Sequence, residues 1–355
     1  MSRAIDPKTA TNLNSVNLQQ VYEELTQTLT LPSSPSTTLL EIEILKEFHF
    51  PPGQTILKDN NFIAISKLAL VQSFLFARPR LRAYQTDPSL FSSDDISSAT
   101  FTILLFDPEH LTAANTRKRL LQSELQRQNS DHRTVLEQEK RTVDSLLTSR
   151  LHRHTKSPVL WSHRRWLITQ YAKYGLSVEV TGDIERIVCV AGERHPRNYY
   201  AWCHARFLVN ISNNNFNRGK LLEIVQTWCV QNHTDISGWS FLSFLLGRDK
   251  DAPEVIAKVL DLVESLRLSN ESVWVFLPTL AAAGVMTEEA YSRFLKIQKE
   301  LLEMETTAVA DKAVLRRAVE WCETYRSPSA DRLKAYRLLQ PDTNQEFNRC
   351  QKRGE

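Results

Sequence analysis

A tryptophan-centred frame recurs along the chain, and this repetition limits the possible folds more than any other feature. Each copy has a polar or proline-containing turn, an aromatic residue and then a helix-like apolar run, around Trp161, Trp202 and Trp239. A degenerate earlier copy has Ala114 at the aromatic position, and a weaker later copy surrounds Trp274. Units that recur at intervals of about 40 residues must stack, because one unit cannot bury its apolar face alone. We therefore predict an all-α fold, a solenoid of helical hairpins.

The composition agrees with a helical protein that has a large core. The chain has 355 residues, 42% of them hydrophobic, and its 9 glycines are too few for a loop-rich β protein. A net charge of +3 gives no global reason to expect nucleic acid as a partner. The sequence has no apolar run near the roughly 18 to 20 residues that span a bilayer, and its polar opening does not resemble a secretory signal. We expect a cytoplasmic protein without a membrane span.

The cysteine and histidine patterns do not predict a metal site. The five cysteines form no C-x-x-C pair and are odd in number, which indicates buried, reduced thiols. His152 and His154 come nearest to a ligand cluster, but we interpret them as a solvated helix end in a basic stretch. The cysteines in question are Cys189, Cys203, Cys229, Cys322 and Cys350.

Three segments are predicted from the distribution of the frame. Residues 1–100 lack it and would form an N-terminal helical cap or irregular region, with helical patterns over Leu18–Leu29 and Phe62–Leu81. Residues 101–283 carry the repeats, in which aromatic helices alternate with amphipathic partner helices. Residues 284–355 would close the array and end in a polar tail. Its amphipathic stretches are Glu288–Leu302, Ala308–Tyr325 and Asp331–Leu339.

The frame itself points to a known family. The sequences LWSHRRWLI over Leu160–Ile168 and RNYYAW over Arg197–Trp202 resemble the repeat of protein prenyltransferase alpha subunits. The resemblance is greatest to the divergent prenyltransferase alpha subunit repeat-containing proteins. It implies a right-handed α-α superhelix that wraps a separate β subunit. It also implies that zinc, the isoprenoid pocket and most catalytic groups lie on that β subunit, so that this chain needs no cofactor of its own.

The implied reaction is attack by a zinc-bound cysteine thiolate of a protein substrate on C1 of an allylic diphosphate. In the family, the alpha subunit supplies a lysine five positions before the repeat tryptophan, and Lys156 occupies that position here. Such a cation stabilises the negative charge that builds on the departing diphosphate. The family's Asn-Tyr-Gln after this lysine is replaced by Ser157, Pro158 and Val159, which predicts a different substrate preference.

The next repeat supplies the other candidate site residues. The resemblance assigns Arg197, Asn198, Tyr199 and Tyr200 to a lip that faces the isoprenoid and the peptide, with arginine replacing lysine and a second tyrosine replacing histidine. Other residues of the frame are predicted to be structural, because large aromatic side chains dominate core packing and arginines tie neighbouring helices together. These anchors are Trp161, Arg164, Trp202, Arg206 and Trp239.

Three functions are compatible with this pattern. The first is the alpha-type subunit of a heterodimeric prenyltransferase, sharing a Rab-type β subunit and transferring geranylgeranyl to a cysteine of a cytosolic protein. The second is a non-catalytic helical-repeat scaffold that binds a peptide or partner helix. The third is an escort or competitor that binds the β subunit without chemistry, which the loss of the Asn-Tyr-Gln set supports. The tryptophan-His-Arg frame favours a prenyltransferase-related protein over the general scaffold.

Overall fold

The computed structural model describes residues 18–30, 38–128, 130–212, 215–247 and 252–326. They form two compact units that divide between Val178 and Glu179. Helices dominate both units, and in each the helices that carry the repeat frame pack beside one another and against partner helices. The predicted all-α repeat class is confirmed.

The first unit begins with a mixed α/β segment. Helix α1 spans Leu18–Leu29, as predicted, and is followed by β1 (Glu41–Leu45), β2 (Ile56–Asp59) and β3 (Phe62–Ser66), which lead into α2 (Lys67–Thr86). The strand order is β1-β3-β2, with β1 parallel and β2 antiparallel to β3.

This small sheet departs from the predicted helical cap. Ile42 pairs with Ile63 across β1 and β3, and both side chains are buried, so the sheet has an apolar face. We predicted a helix from Phe62, but residues Phe62–Ser66 form a strand and the helix begins after Ser66. Ser66 sets this boundary as the N-cap, because its hydroxyl accepts a hydrogen bond from the Ala69 amide.

The rest of the first unit contains two copies of the frame. Helix α4 carries Ala114 and α7 carries Trp161, and α5 packs against both. The predicted segment boundary at residue 101 falls within α3. The division of the chain into three segments stays a prediction. The helices are α3 (Ser93–Phe106), α4 (Leu111–Leu125), α5 (His132–Leu147), the short α6 (His152–Thr155) and α7 (Pro158–Lys173).

The second unit contains the other three copies, on α10, α12 and α14. The predicted partner helices and the first two closing stretches are confirmed, and Asp331–Leu339 lies outside the described residues. The elements are α8 (Val180–Asp183), a π-helical segment (Ile184–Cys189), α9 (Val190–Arg194), α10 (Tyr199–Ile211), α11 (Arg218–Gln231), α12 (Ile236–Leu246), α13 (Ala252–Leu266), α14 (Glu271–Ala282), α15 (Glu288–Glu303) and α16 (Val309–Tyr325).

The repeat tryptophans are buried anchors with a shared hydrogen bond. The indole N–H donates to the backbone carbonyl six residues earlier at Trp161 (2.9 Å), Trp239 (2.9 Å) and Trp274 (2.7 Å). At Trp202 the indole nitrogen has no acceptor among the described residues. In these three helices the bond holds the helix to the turn before it, and its presence at Trp274 makes α14 a fifth copy of the repeat.

Aromatic contacts connect successive repeats in the second unit. The ring of Trp202 lies 5.4 Å from that of Phe241, and Trp239 lies 4.8 Å from Phe276, measured between centroids. In each pair the phenylalanine follows the next repeat's tryptophan by two positions. The tryptophans therefore pack within their own hairpin and against the next one, as anchors in a stacked array do.

Candidate functional site

The start of each frame is a helix N-cap. Ser157, Asn198 and Asp235 precede their helices by one residue, and the side-chain oxygen of each accepts a hydrogen bond from an amide of the first turn. The distances are 3.1 Å from Leu160, 3.3 Å from Ala201 and 3.2 Å from Gly238. The frame is thus a capping motif that sets where a helix begins, with the aromatic anchor in its first turn.

Within each unit, hydrogen bonds at the caps also join successive repeats. The Ser157 hydroxyl donates to the Pro108 carbonyl (3.1 Å), and the Arg197 amide donates to Asp235 Oδ2 (2.5 Å). The Asn270 side chain donates to the His233 carbonyl (2.8 Å). These bonds fix the turns that precede the helices, which are the turns that carry the candidate site residues.

The position directly before the cap carries a cation in only two of the five copies. Lys156 and Arg197 occupy it in the second and third copies, and both side chains are exposed. Neither forms an ion pair with any residue that the structure describes. The other copies have Glu109, Thr234 and Ser269 there. Two successive repeats therefore present a cation beside a helix N-terminus, where the backbone amides also favour negative charge.

Acidic groups of the preceding repeat contact residues on either side of Lys156 in the sequence, namely Arg153 and Ser157. Asp107 is paired with Arg153 at 3.1 Å. Burial raises the pKa of the Glu109 carboxyl, which approaches Ser157. Lys156 follows α6 and precedes the cap of α7, so its backbone is held at both ends while its side chain extends outward.

Arg197 adopts a left-handed backbone conformation, with φ of +59°. Its amide is held by Asp235, and its carbonyl accepts from the Tyr199 amide at 2.9 Å. A side chain at such a φ costs about 1 to 3 kcal/mol and persists only when its surroundings enforce it. The turn that presents this cation is therefore specified by long-range contacts.

The other predicted lip residues differ in exposure. Asn198 is fully buried, and its amide group caps α10 and donates to the Ala191 carbonyl at 3.3 Å. Tyr199 and Tyr200 are half-buried, with ring centroids 5.8 Å apart and ring planes at 77°. Asn198 thus positions the start of the helix, while the two phenols reach its surface.

The predicted structural arginines are engaged inside their units. Arg164 is fully buried, and its Nε lies 2.6 Å from Asp144 Oδ1. Arg206 donates to the carbonyl (2.9 Å) and hydroxyl (2.7 Å) of Ser240 on α12. Both contacts connect a frame helix to a neighbouring helix.

A second buried ionic cluster was not predicted from the sequence. Arg117 on α4 binds both carboxylate oxygens of Glu139 on α5, and His163 Nε2 on α7 lies 3.2 Å from the same carboxylate. Burial alone would raise the pKa of Glu139, but the Arg117 charge and the His163 contact lower it to about 2. Burial lowers the pKa of His163. These residues join three helices and have no role at the exposed candidate site.

The histidines of the basic stretch before α7 differ from the solvated helix end that we predicted. His154 is buried rather than solvated: its Nε2 lies 3.0 and 2.9 Å from the Leu104 and Leu105 carbonyls, and burial lowers its pKa to about 4. No group of three or more potential ligands within the described residues is placed to hold a metal ion. We therefore derive no zinc-dependent step from this chain.

The buried-thiol prediction is confirmed for four cysteines, which are free and buried: Cys189, Cys203, Cys229 and Cys322. Burial raises the pKa of Cys189 to about 12 and that of Cys322 to about 11. Cys350 lies outside the described residues. No helix in the described part of the chain is both long and apolar enough to cross a membrane.

Comparison with known proteins supports the family resemblance. Protein prenyltransferase alpha subunit repeat-containing protein 1 of Danio rerio is 28% identical over 195 residues, which cover 48% of this chain and 42% of the relative. The Homo sapiens protein of the same name is 28% identical over 191 residues, covering 48% and 44%. Over about half of its length, this chain is similar to the prenyltransferase alpha subunit repeat-containing proteins.

The chain is also similar to Protein ECM9 of Saccharomyces cerevisiae, which is 30% identical over 195 residues, or 53% of this chain and 50% of that protein. Residues 160–271 match the ECM9 middle domain, a stretch that begins in α7 and ends at the start of α14. The matched region therefore includes the Trp161, Trp202 and Trp239 copies. The chain spans about half the length of the curated relatives it matches.

Proposed function

We propose that this chain is the alpha-type subunit of a heterodimeric protein prenyltransferase, and that it transfers geranylgeranyl to a cysteine of a cytosolic protein together with a Rab-type β subunit. The main support is Lys156, an exposed lysine without an ion pair among the described residues, at the position where the family's alpha subunit supplies a cation. The relatives named for prenyltransferase alpha subunit repeats add to this support.

In the proposed reaction, a bond forms between the cysteine sulfur of the protein substrate and C1 of the isoprenoid, and the bond from C1 to the diphosphate oxygen breaks. Zinc on the β subunit would supply the thiolate. The electron pair of the broken bond leaves with the diphosphate, and Lys156 would donate hydrogen bonds to its oxygens. A preorganised cation of this kind stabilises the charge as it develops in the transition state.

The second cation and the phenols would contact substrate. We assign Arg197, Tyr199 and Tyr200 to a lip that faces the isoprenoid and the acceptor peptide. Asn198 would act indirectly by fixing the first turn of α10.

The departures from the family pattern suggest a different acceptor peptide. Ser157 is buried as the cap and Pro158 is the first residue of α7. The positions where the family has an asparagine and a tyrosine therefore build the helix start here. We therefore propose that this chain selects the acceptor peptide, and that it does so through residues other than the family's Asn-Tyr-Gln set.

The experiment is co-expression of this chain with each prenyltransferase β subunit of the same cell, followed by transfer of labelled geranylgeranyl diphosphate to cytosolic proteins. The proposal predicts a stable 1:1 complex with the Rab-type subunit and labelling of a distinct acceptor. A stable complex without labelling would favour the escort or competitor. The absence of any complex would favour the helical-repeat scaffold.

A further inference from the structure

Helices α4 and α7 of the first unit present a joint face on which Lys118 lies beside Trp166. The two helices are in contact, and the Lys118 ammonium lies 5.8 Å from the centre of the Trp166 ring. Both side chains are half-buried. Trp166 follows the cap at Ser157 by nine positions, roughly 13 Å along the helix axis, so this face is separate from the turn that carries Lys156.

The face carries positive charge only. Residues three or four positions apart share one side of a helix, so the neighbours of Lys118 and Trp166 on this face follow from the helical period. Arg119 is exposed and Arg165 is half-buried. Helix α7 contains no acidic residue, and the one acid of α4, Glu124, is off this period and pairs with the arginine three positions later. The members of this α4–α7 face are Asn115, Lys118, Arg119, Gln122, Ser162, Arg165, Trp166 and Thr169.

The Lys118 ammonium has no carboxylate partner among the described residues. Burial lowers the pKa of this ammonium, and no neighbouring acid opposes the effect. Burial also lowers the pKa of His163, one turn before Trp166, and the Lys118 charge adds to that lowering. The Trp166 ring attracts the cation but accepts no strong hydrogen bond from it. A partly desolvated cation in this setting is stabilised by a carboxylate that binds it.

The Trp166 indole adds a second donor to the face. Within the described part of the chain its N–H has no acceptor, and its nitrogen is not one of the buried unpaired atoms, so solvent reaches it. It differs in this respect from the indole nitrogen of Trp202, which is buried. Tryptophan and arginine are also the residues that contribute most to binding at protein interfaces.

We propose that the α4–α7 face binds an acidic segment of a partner protein. One carboxylate of that segment accepts hydrogen bonds from the Lys118 ammonium and the Trp166 indole, and a second pairs with Arg119. Charge complementarity favours this occupant, because the face carries cations without acids. Lys118 and Arg119 point about 100° apart around α4, so one small anion does not bind both, whereas a segment with two carboxylates does.

The test measures binding of a capped hexaglutamate peptide to the full chain by isothermal titration calorimetry, with capped hexaglutamine as the uncharged comparison. We expect only hexaglutamate to bind, and its affinity to fall as salt is added, because salt screens exposed charges. Lys118→Met keeps an unbranched apolar stem but removes the charge, and should weaken binding about tenfold. Trp166→Phe keeps an aromatic ring but removes the N–H, and should weaken binding about threefold.

A matched control is available in the same unit. Lys67 is an exposed lysine at the start of α2 and is not part of the α4–α7 face, so Lys67→Met should leave hexaglutamate binding unchanged. Thermal unfolding of each variant establishes that it is folded. The measurement needs neither a β subunit nor prenyl transfer, so its failure and that of the proposed function are distinguishable.

Three results would overturn the proposal. The first is that hexaglutamate binds no more tightly than hexaglutamine. The second is that Lys118→Met and Lys67→Met weaken binding equally, which would make the attraction a general effect of surface charge. The third is that inorganic phosphate binds more tightly than hexaglutamate with the same dependence on Lys118, which would make the face a site for a small anion.

Discussion

At the scale of single residues, Arg197 combines an uncommon backbone conformation with an exposed charge. A left-handed φ is far better tolerated by glycine than by arginine, because glycine has no Cβ. The turn is held by the carboxylate of Asp235, which also caps α12. Arginine thus occupies a backbone position that glycine would adopt more easily, which makes the arginine side chain a candidate for function.

Arg197→Gly provides a direct test of that side chain. The change removes the cation and relieves the backbone, so the complex should unfold at the same or a slightly higher temperature while prenyl transfer slows. Arg197→Lys retains a charge and should lose less activity than Arg197→Gly. Thermal unfolding and single-turnover transfer measure the two effects separately. An unchanged transfer rate in Arg197→Gly would remove Arg197 from the substrate-facing set.

The sequence could locate these residues but not describe their surroundings. The distance of Lys156 and Arg197 from their tryptophans is read directly from the frame. The left-handed turn at Arg197 depends on Asp235, which lies 38 positions further along the chain. The burial of His154 depends on carbonyls of α3, at a separation of about 50 positions. Contacts at such separations leave no signal in a local pattern.

At the scale of elements, α5 holds two frame helices through buried acids on one helix. Glu139 binds Arg117 of α4, and Asp144 binds Arg164 of α7. Removing one member of a buried ion pair leaves the other charge uncompensated, at a cost of about 3 to 5 kcal/mol. We infer that α5 and its two acids fix the spacing between these repeats.

Glu139→Gln tests this role of α5. At pH 7 the variant should lose about 3 to 5 kcal/mol of unfolding free energy. The carboxyl's pKa falls from an ordinary 4.5 to about 2 on folding, so its contribution is complete above pH 4.5 and is lost as the pH falls towards 2. The difference between wild type and variant should narrow over that range in denaturant titrations.

A control lies on the same helix. Glu137 is an exposed residue paired with Arg133 at 3.4 Å, and Glu137→Gln should change the unfolding free energy by less than about 1 kcal/mol. Equal effects of the two substitutions would contradict the structural role of the buried pair.

Helical elements were predictable where the apolar period was regular, as in α13 and α15. The three-stranded sheet was missed although Glu41–Leu45 alternates polar and apolar residues, the usual pattern of a strand. The β3 sequence FIAIS runs directly into the apolar start of α2, and a continuous apolar stretch does not show where a strand ends and a helix begins. The N-cap at Ser66 supplies that boundary.

At the scale of the whole molecule, the fold class followed from the spacing of the tryptophans, while the proposed function depends on a partner subunit. Each described unit buries its own core, and the candidate cations lie at the surface, where a partner can reach them. In the proposed function, these two exposed cations would assist chemistry that the β subunit performs.

The proposed role of Lys156 in prenyl transfer is tested by the single-turnover rate of the complex that carries Lys156→Ala. Thr234 provides the control, since it is exposed at the same position of a later repeat and carries no charge. We expect an intact complex, a rate about a hundredfold lower or more for Lys156→Ala, and no change for Thr234→Ala. An intact Lys156→Ala complex that transfers at the wild-type rate would contradict that role.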